Sequence, residues 1–217
     1  MLAGMPLDAV QGRVVGSLIE KQLTTPQQYP LTLNGLTLAC NQASNRDPVV
    51  VYPEGRVQEA LDSLKGQGLV RFVLPSHGRS VVRYRHVLDE KLALDPRQLS
   101  LVAVLLLRGP QTVGELRTRT ERMAEFDTVA EVESDLQGLT RWDPPLVARQ
   151  ERRPGQKEDR WHQLLMEHDE PQDTARPNRQ ETSGTPTSSL RDEVDELRRE
   201  VRALREDLDA LKTELGI

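Results

Sequence analysis

The side chains best suited to metal or nucleophile chemistry are one cysteine, Cys40, and four histidines, His77, His86, His162 and His168. A zinc or iron site needs several such ligands at short spacing, and these five form no such cluster. Cys40 beside Asn41 is a conceivable nucleophile, but a single cysteine in an apolar helical stretch is ordinarily a packing residue. The sequence has no glycine-rich phosphate loop and no nucleophile elbow, and its carboxylates are scattered over charged helices. The expectation is a protein without enzymatic activity, cofactor or metal.

The basic residues suggest binding instead. One stretch carries Arg71, His77, Arg79, Arg83 and Arg85 around Pro75-Ser76-His77-Gly78. A second carries Arg149, Arg152, Arg153, Lys157 and Arg160 around Arg153-Pro154-Gly155. Cationic hairpins suit phosphate or minor-groove contacts, which give affinity and salt dependence rather than sequence choice. In the second, Glu151, Glu158 and Asp159 interleave the bases, so ordinary solvated turns explain it equally well. Helical segments are less favourable, because carboxylates in a groove-reading helix meet the DNA phosphates. Arg56 and Lys65 are offset by Glu54, Glu59 and Asp62, and Glu131, Glu133 and Asp135 face Arg141 alone; Arg117, Arg119 and Arg122 make a better phosphate surface. The run Cys40-Asn41-Gln42-Ala43-Ser44-Asn45-Arg46-Asp47-Pro48 is dense in groups that bond backbone, phosphate or adenine edges, although the same groups end helices and build turns. The candidate nucleic-acid-binding residues are therefore Asn41, Asn45, Arg46, Arg56, Arg79, Arg83 and Arg85.

The elements that must position these residues repeat along the chain. Leu7-Asp8-Ala9-Val10-Gln11 and Leu94-Asp95-Pro96-Arg97-Gln98 both read as capping boxes, with Pro96 at the permitted first helical position. Apolar stripes follow at Val10, Val14 and Leu18 and at Leu101 and Leu105. Thr25 matches Thr112, Val57, Leu61 and Leu64 match Val132, Leu136 and Leu139, and Leu69, Val70 and Tyr84 match Leu146, Val147 and Trp161. That register places twelve extra residues between Thr25 and Val57. The first unit is expected as helices over Asp8 to Leu23, Thr32 to Gln42 and Glu54 to Gly66, then strands over Leu69 to Leu74 and Val81 to His86. Strands of the second begin near Leu146 and Glu158. Three helices and a β-hairpin make the winged helix-turn-helix plan. The expected fold class is α+β, mainly helical: two tandem winged helix-turn-helix domains (1–90 and 91–166), a flexible linker (167–189) and a C-terminal coiled-coil helix (190–217).

The linker holds Pro171, Pro177, Gly184 and Pro186 and almost nothing apolar, and as a random coil would reach about 25–30 Å. Beyond it, Leu190, Val194, Leu197, Val201, Leu204, Leu208, Leu211 and Leu215 follow the 4-3 spacing of a heptad seam. With Val194 at position a, the e positions are Arg191, Arg198, Arg205 and Lys212, and the g positions are Glu193, Glu200, Asp207 and Glu214. A parallel pair matches g to e with opposite signs, whereas an antiparallel pair repels, so a parallel homodimer is expected. The net charge of −5 is confined to the tail: residues 1–90 hold 9 basic and 8 acidic side chains, 91–166 hold 12 and 12, and 167–217 hold 8 and 14. The longest apolar run, Leu101 to Leu107, is too short to span a membrane, and no signal-peptide stretch opens the chain. The lone cysteine suits a reducing compartment, so the expected location is the cytoplasm, with no membrane partner.

Several motifs resemble one bacterial family, the uncharacterised proteins typified by YceH: Glu20-Lys21-Gln22, Thr24-Thr25-Pro26, Tyr29-Pro30-Leu31, Asn34, Ala39-Cys40-Asn41-Gln42, Asn45-Arg46-Asp47-Pro48-Val49, Leu105-Leu106-Leu107-Arg108-Gly109, Gly114-Glu115-Leu116-Arg117 and Pro154-Gly155-Gln156-Lys157-Glu158. The resemblance covers about residues 7 to 165, with Trp161 where the family has Tyr, and leaves the linker and coil outside. It implies tandem winged-helix domains and carries over no activity or catalytic residue. Two functions are expected as alternatives: a homodimeric DNA-binding transcriptional regulator whose partner is double-stranded DNA, or a non-enzymatic scaffold whose partner is another protein.

Overall fold

A computed structural model describes residues 6–74, 81–150, 152 and 158–166. Its elements, in chain order, are α1 (Ala9–Thr24), a 3₁₀ turn (Pro26–Gln28), β1 (Leu31–Thr32), α2 (Leu33–Cys40), α3 (Glu54–Gly66), β2 (Val70–Val73), β3 (Arg83–His86), α4 (Leu88–Leu92), α5 (Pro96–Arg108), α6 (Val113–Thr120), α7 (Val129–Thr140), β4 (Val147–Gln150) and β5 (Arg160–Gln163). This is an α+β fold in which about half the described residues are helical and two small antiparallel sheets complete it. Three helices followed by two strands recur twice, as the sequence repeat predicts; α4 joins the two sets and carries no clear signal in the sequence.

Local chemistry explains where the helices begin. Asp8 Oδ1 accepts the Gln11 amide at 2.8 Å and the Asp8 amide donates to Gln11 Oε1 at 3.0 Å, while Asp95 and Gln98 repeat the pair at 2.8 and 3.4 Å. Both expected capping boxes are formed, with Pro96 in the first turn. Thr32 and Thr112 cap α2 and α6 through their hydroxyl oxygens. α5 ends on Gly109 at φ 70° and ψ −155°, a conformation that essentially only glycine adopts without strain.

These caps correct the repeat register. The counterpart of Thr112 is Thr32, not Thr25: each follows a residue that bridges the last strand of its set, Leu31 against Tyr84 and Gln111 against Trp161. The extra length of the first set is therefore divided, part in the 3₁₀ turn and Tyr29-Pro30 before the cap, part in the loop 41–53 between α2 and α3. A sequence comparison anchored on threonine identity alone could not see this, because the matched strand position is Leu in one set and Gln in the other.

Packing departs from a simple amphipathic plan. Every residue from Val10 to Glu20 in α1 is buried, and so is every residue from Leu99 to Leu107 in α5. A helix buried on all sides must be covered by more than one neighbour. α1 packs on α5, and one continuous core runs from Leu7 through Leu18, Leu61, Leu105 and Leu136 to Trp161. A β-carbon on Gly16 would lie 2.9 Å from Leu107 Cγ and 3.1 Å from Leu106 Cβ, so α1 and α5 approach closely only because that position is glycine. The Leu7 amide donates to the Leu165 carbonyl at 2.8 Å, joining the start and end of the described chain.

His86 sits wholly inside this core, where Nδ1 accepts the Leu88 amide at 3.2 Å. Burial pushes its pKa down to about 4, against the opposing charges of Asp89 and Glu90 and together with Arg85. The folded state thus holds fewer protons than the unfolded chain, whose histidine titrates near 6.5. Stability is expected to be complete above about pH 6.5 and to fall as pH drops towards 4. Urea midpoints measured from pH 7.5 to 4.5 check this, and His86→Asn, which keeps an acceptor for the Leu88 amide, should flatten the decline across that window.

Candidate nucleic-acid interface

The first hairpin is built by strict alternation. β2 pairs β3 with Val70 opposite His86, Arg71 opposite Arg85, Phe72 opposite Tyr84 and Val73 opposite Arg83. One face therefore carries Val70, Phe72, Tyr84 and His86, with Phe72 edge-on to Tyr84 at 4.8 Å and Lys65 Nζ over the Phe72 ring at 4.2 Å. The opposite face presents Arg71, Arg83 and Arg85. Arg71 and Arg85 stand directly across the ladder, a like-charge pair that ordinarily disfavours a sheet. Glu90 is the carboxylate that offsets them, at 3.1 Å from Arg71 and 2.6 Å from Arg85. Arg83 donates to the Pro30 carbonyl at 2.8 Å and has no ion pair among the described residues. Arg79 and His77 lie outside the described residues.

The second hairpin differs. Arg149 and Arg152 both pair with Asp159, and Arg160 pairs with Glu115 at 2.9 Å while donating to the Pro110 carbonyl. Each of its described cations has a carboxylate partner, whereas Arg83 of the first hairpin has no ion pair among the described residues. The acidic face of α7 is likewise closed internally: Arg97 donates to Glu131 and Asp135, each at 2.9 Å, with its guanidinium 4.5 Å from the Phe126 ring centre. On α3, Arg56 pairs with Glu59 at 2.8 Å, and both are exposed.

One candidate residue proves to be internal and a second is tied into a loop. Arg46 is buried, with a bidentate pair to Glu20 at 2.7 and 3.1 Å and further donations to the carbonyls of Ala39 and Asn45 and to Gln42 Oε1. Asn41 binds Tyr52 from both ends of its amide, at 2.9 and 2.8 Å, which pulls the loop 41–53 back alongside α2. Arg46 has no solvent-facing donor for a base edge, so its direct contact is corrected to a structural role, whereas half-buried Asn41 spends one amide hydrogen and one Oδ1 lone pair on holding the loop. Asn45 adopts φ 58°, a left-handed turn that asparagine tolerates, and its Oδ1 accepts from Arg108 at 3.1 Å. Arg56, Arg83 and Arg85 remain at the surface.

Sequence reasoning missed Arg13 and Glu20. Arg13 is buried and donates to the Cys40 and Pro48 carbonyls at 3.1 and 2.7 Å. With Arg46 it satisfies the last carbonyls of α2, where cations also oppose the helix dipole. In the second set Arg117, on α6, donates instead to the Phe126 and Asp127 carbonyls of the loop before α7. The available signal was a charged residue inside an otherwise apolar helical face. Cys40 is buried beneath this loop, and burial pushes its thiol up to about 11. Among the described residues no group of three His, Cys, Asp or Glu could hold a metal ion, and no helix is long and apolar enough to cross a membrane. The dimerisation positions Leu190, Val194, Leu197, Val201, Leu204, Leu208, Leu211 and Leu215 lie outside the described residues.

Residues 7–156 match the family described as "Protein of unknown function, DUF480". Among similar proteins, a UPF0502 protein of Geotalea daltonii is 55% identical over 169 residues, covering 78% of this chain and 76% of its own. A UPF0502 protein of Geobacter sulfurreducens is 55% identical over 159 residues (73% and 72%), and one of Shewanella loihica 45% identical over 174 residues (78% and 80%).

Proposed function

The chain belongs to the DUF480 (UPF0502) family, and from the chemistry of its first hairpin we propose that it is a homodimeric winged-helix DNA-binding protein acting as a transcriptional regulator. The observation that carries this reading is the outward face of β2 and β3, where Arg71, Arg83 and Arg85 are gathered against the single carboxylate of Glu90. Holding like charges across a ladder costs stability, and a polyanion along that face relieves it. Arg56 supports the same reading, since an exposed pair such as Arg56–Glu59 contributes little and exchanges readily for a phosphate. The repeated helix-helix-helix-hairpin order supports the tandem winged-helix domains, and the heptad seam from Leu190 to Leu215 supports a parallel dimer that adds avidity through its tether.

Fluorescence anisotropy with random-sequence duplex DNA at several salt concentrations, followed by selection from a fragmented genomic pool, tests the reading. Arg71→Ala with Arg83→Ala is expected to weaken binding uniformly across sequences and to lower the salt slope by about 2, roughly one per lost phosphate contact. Absence of binding at low salt, or an unchanged slope, would sink it. A scaffold role is favoured by a separate observation: Leu38, Val49 and Val51 are exposed by 65%, 58% and 83%, on α2 and on the loop that Asn41 draws back beside it. Polar substitution of these three should abolish partner capture under that reading and leave DNA affinity unchanged under the first.

A further inference from the structure

We infer that the cleft formed by the end of α1, the loop after α2 and the C-terminal ends of α5 and α6 is a binding site for the phosphate group of a small phosphorylated molecule. The cleft has a volume of about 100 Å³, with Val104 and Leu107 among its walls. Four cations from three separate segments converge on it: Lys21, Arg108, Arg119 and Arg122. Two of the carboxylates nearby are already committed, and a third, Asp47, acts on Arg108 from outside the cleft lining. Glu20 is held by Arg46 at 2.7 Å and by Lys21 at 3.4 Å, and Glu115 by Arg160 and the Thr112 amide, both at 2.9 Å, which leaves Arg119 at 3.8 Å.

Donor capacity is left over in the same place. Arg108 places one terminal nitrogen on Asn45 Oδ1, yet its Nε is buried and has no hydrogen-bond partner among the described residues. Buried N–H groups without partners are rare in native proteins and call for a ligand or water. Burial and then the charge of Arg119 lower the proton affinity of Arg108, with Asp47 and Glu115 only partly offsetting them, and an anion between the two guanidiniums would offset the remainder. Arg122 is exposed and has no ion pair among the described residues, and Ser44 adds a hydroxyl at the rim.

Phosphate fits this set better than a carboxylate does. A carboxylate saturates one guanidinium fork, whereas a dianionic phosphate monoester offers three oxygens to cations approaching from different directions. A duplex is too wide to enter a recess of this volume, so its phosphates would meet only the rim at Arg122. The inference does not depend on DNA binding by the first hairpin.

Full-length protein titrated with inorganic phosphate at constant ionic strength, read by thermal unfolding and by arginine Nε–Hε resonances, tests the site. Phosphate is expected to raise the melting temperature saturably where chloride does not. Arg108→Gln and, separately, the exposed Arg122→Gln should each weaken phosphate by about tenfold, the loss of one charge-assisted hydrogen bond, while Arg141→Gln leaves it unchanged. A phosphomonoester of a sugar should then bind at least as well as phosphate itself. No saturable shift, or equal weakening by Arg141→Gln, overturns the proposal. So does an Arg119→Gln, Arg122→Gln variant that loses duplex DNA and keeps phosphate, since the cleft would then belong to a nucleic-acid face.

Discussion

Replacing Arg46 by Met is expected to destabilise the fold by about 3–5 kcal/mol, the cost of leaving one partner of a buried ion pair uncompensated. The side chain of Arg46 is fully buried and that of Glu20 only 11% exposed, so neither can recover its hydration when the other is removed. The guanidinium also satisfies the Ala39 and Asn45 carbonyls and Gln42 Oε1, and each would be stranded. Arg46→Lys should recover little, because an ammonium cannot supply the planar fork that meets both oxygens of Glu20. Removing both charges, as Arg46→Met with Glu20→Met, should be milder than the sum of the single changes. Urea denaturation at pH 7 with an unchanged slope is the measurement, and a loss below about 1 kcal/mol for Arg46→Met would show a pair no stronger than a surface one.

The same pair has a pH signature distinct from that of His86. Burial alone would raise the Glu20 pKa, but the hydrogen bonds and charge of Arg46, with Lys21 beside it, outweigh burial and hold the carboxyl below its ordinary 4.5. A lowered folded pKa means that the stabilisation is present above about pH 4.5 and disappears as pH falls below it. The decline from His86 is complete near where that from Glu20 begins. Arg46→Met should therefore flatten only the acid limb, and His86→Asn only the limb above it.

What could be read from the sequence, and what could not, follows from the range of the interactions. Helix starts at Asp8 and Asp95 were legible because a capping box is contained within four residues. The hairpin strands were legible from alternation around turn residues. Arg46 was not, because its burial depends on Glu20, twenty-six positions earlier, and an arginine in a polar loop reads as a surface cation until that partner is placed. The second hairpin was ambiguous for the same reason: Asp159 follows Glu158 in sequence, but only the ladder brings it to Arg149. The cleft was invisible, since Lys21, Asn45, Arg108 and Arg122 have no common spacing.

The sequence repeat also suggested two separable domains, and the packing leads to a different expectation for stability. Cutting the chain after Ala93 is expected to leave neither half cooperatively folded. In the first half the cut would strip α5 from α1, exposing apolar residues on a helix that is buried through eleven consecutive positions. In the second it would uncover α5, whose nine consecutive buried residues include Leu101, Leu105, Leu106 and Leu107. Each half would then be a small domain with its largest apolar surface in water, a size at which the remaining core is marginal. Two contacts add to the coupling: the Asp47 amide donates to the Leu107 carbonyl at 2.9 Å, and the Leu7 amide to that of Leu165 at 2.8 Å. Within the intact chain, Leu105→Ala should cost about 2–5 kcal/mol by opening a cavity at a site with no solvent access. It should also shift a single transition reported alike by probes in both halves, as two-state behaviour requires. A fragment of residues 1–93 that unfolds cooperatively in urea, or a Leu105→Ala protein in which Trp142 and Trp161 report a transition separate from Tyr29 and Tyr84, would show that the repeats are independent in stability as well as in topology. A single transition would mean that any ligand or DNA bound by one set stabilises the other, because α1 and α5 unfold together.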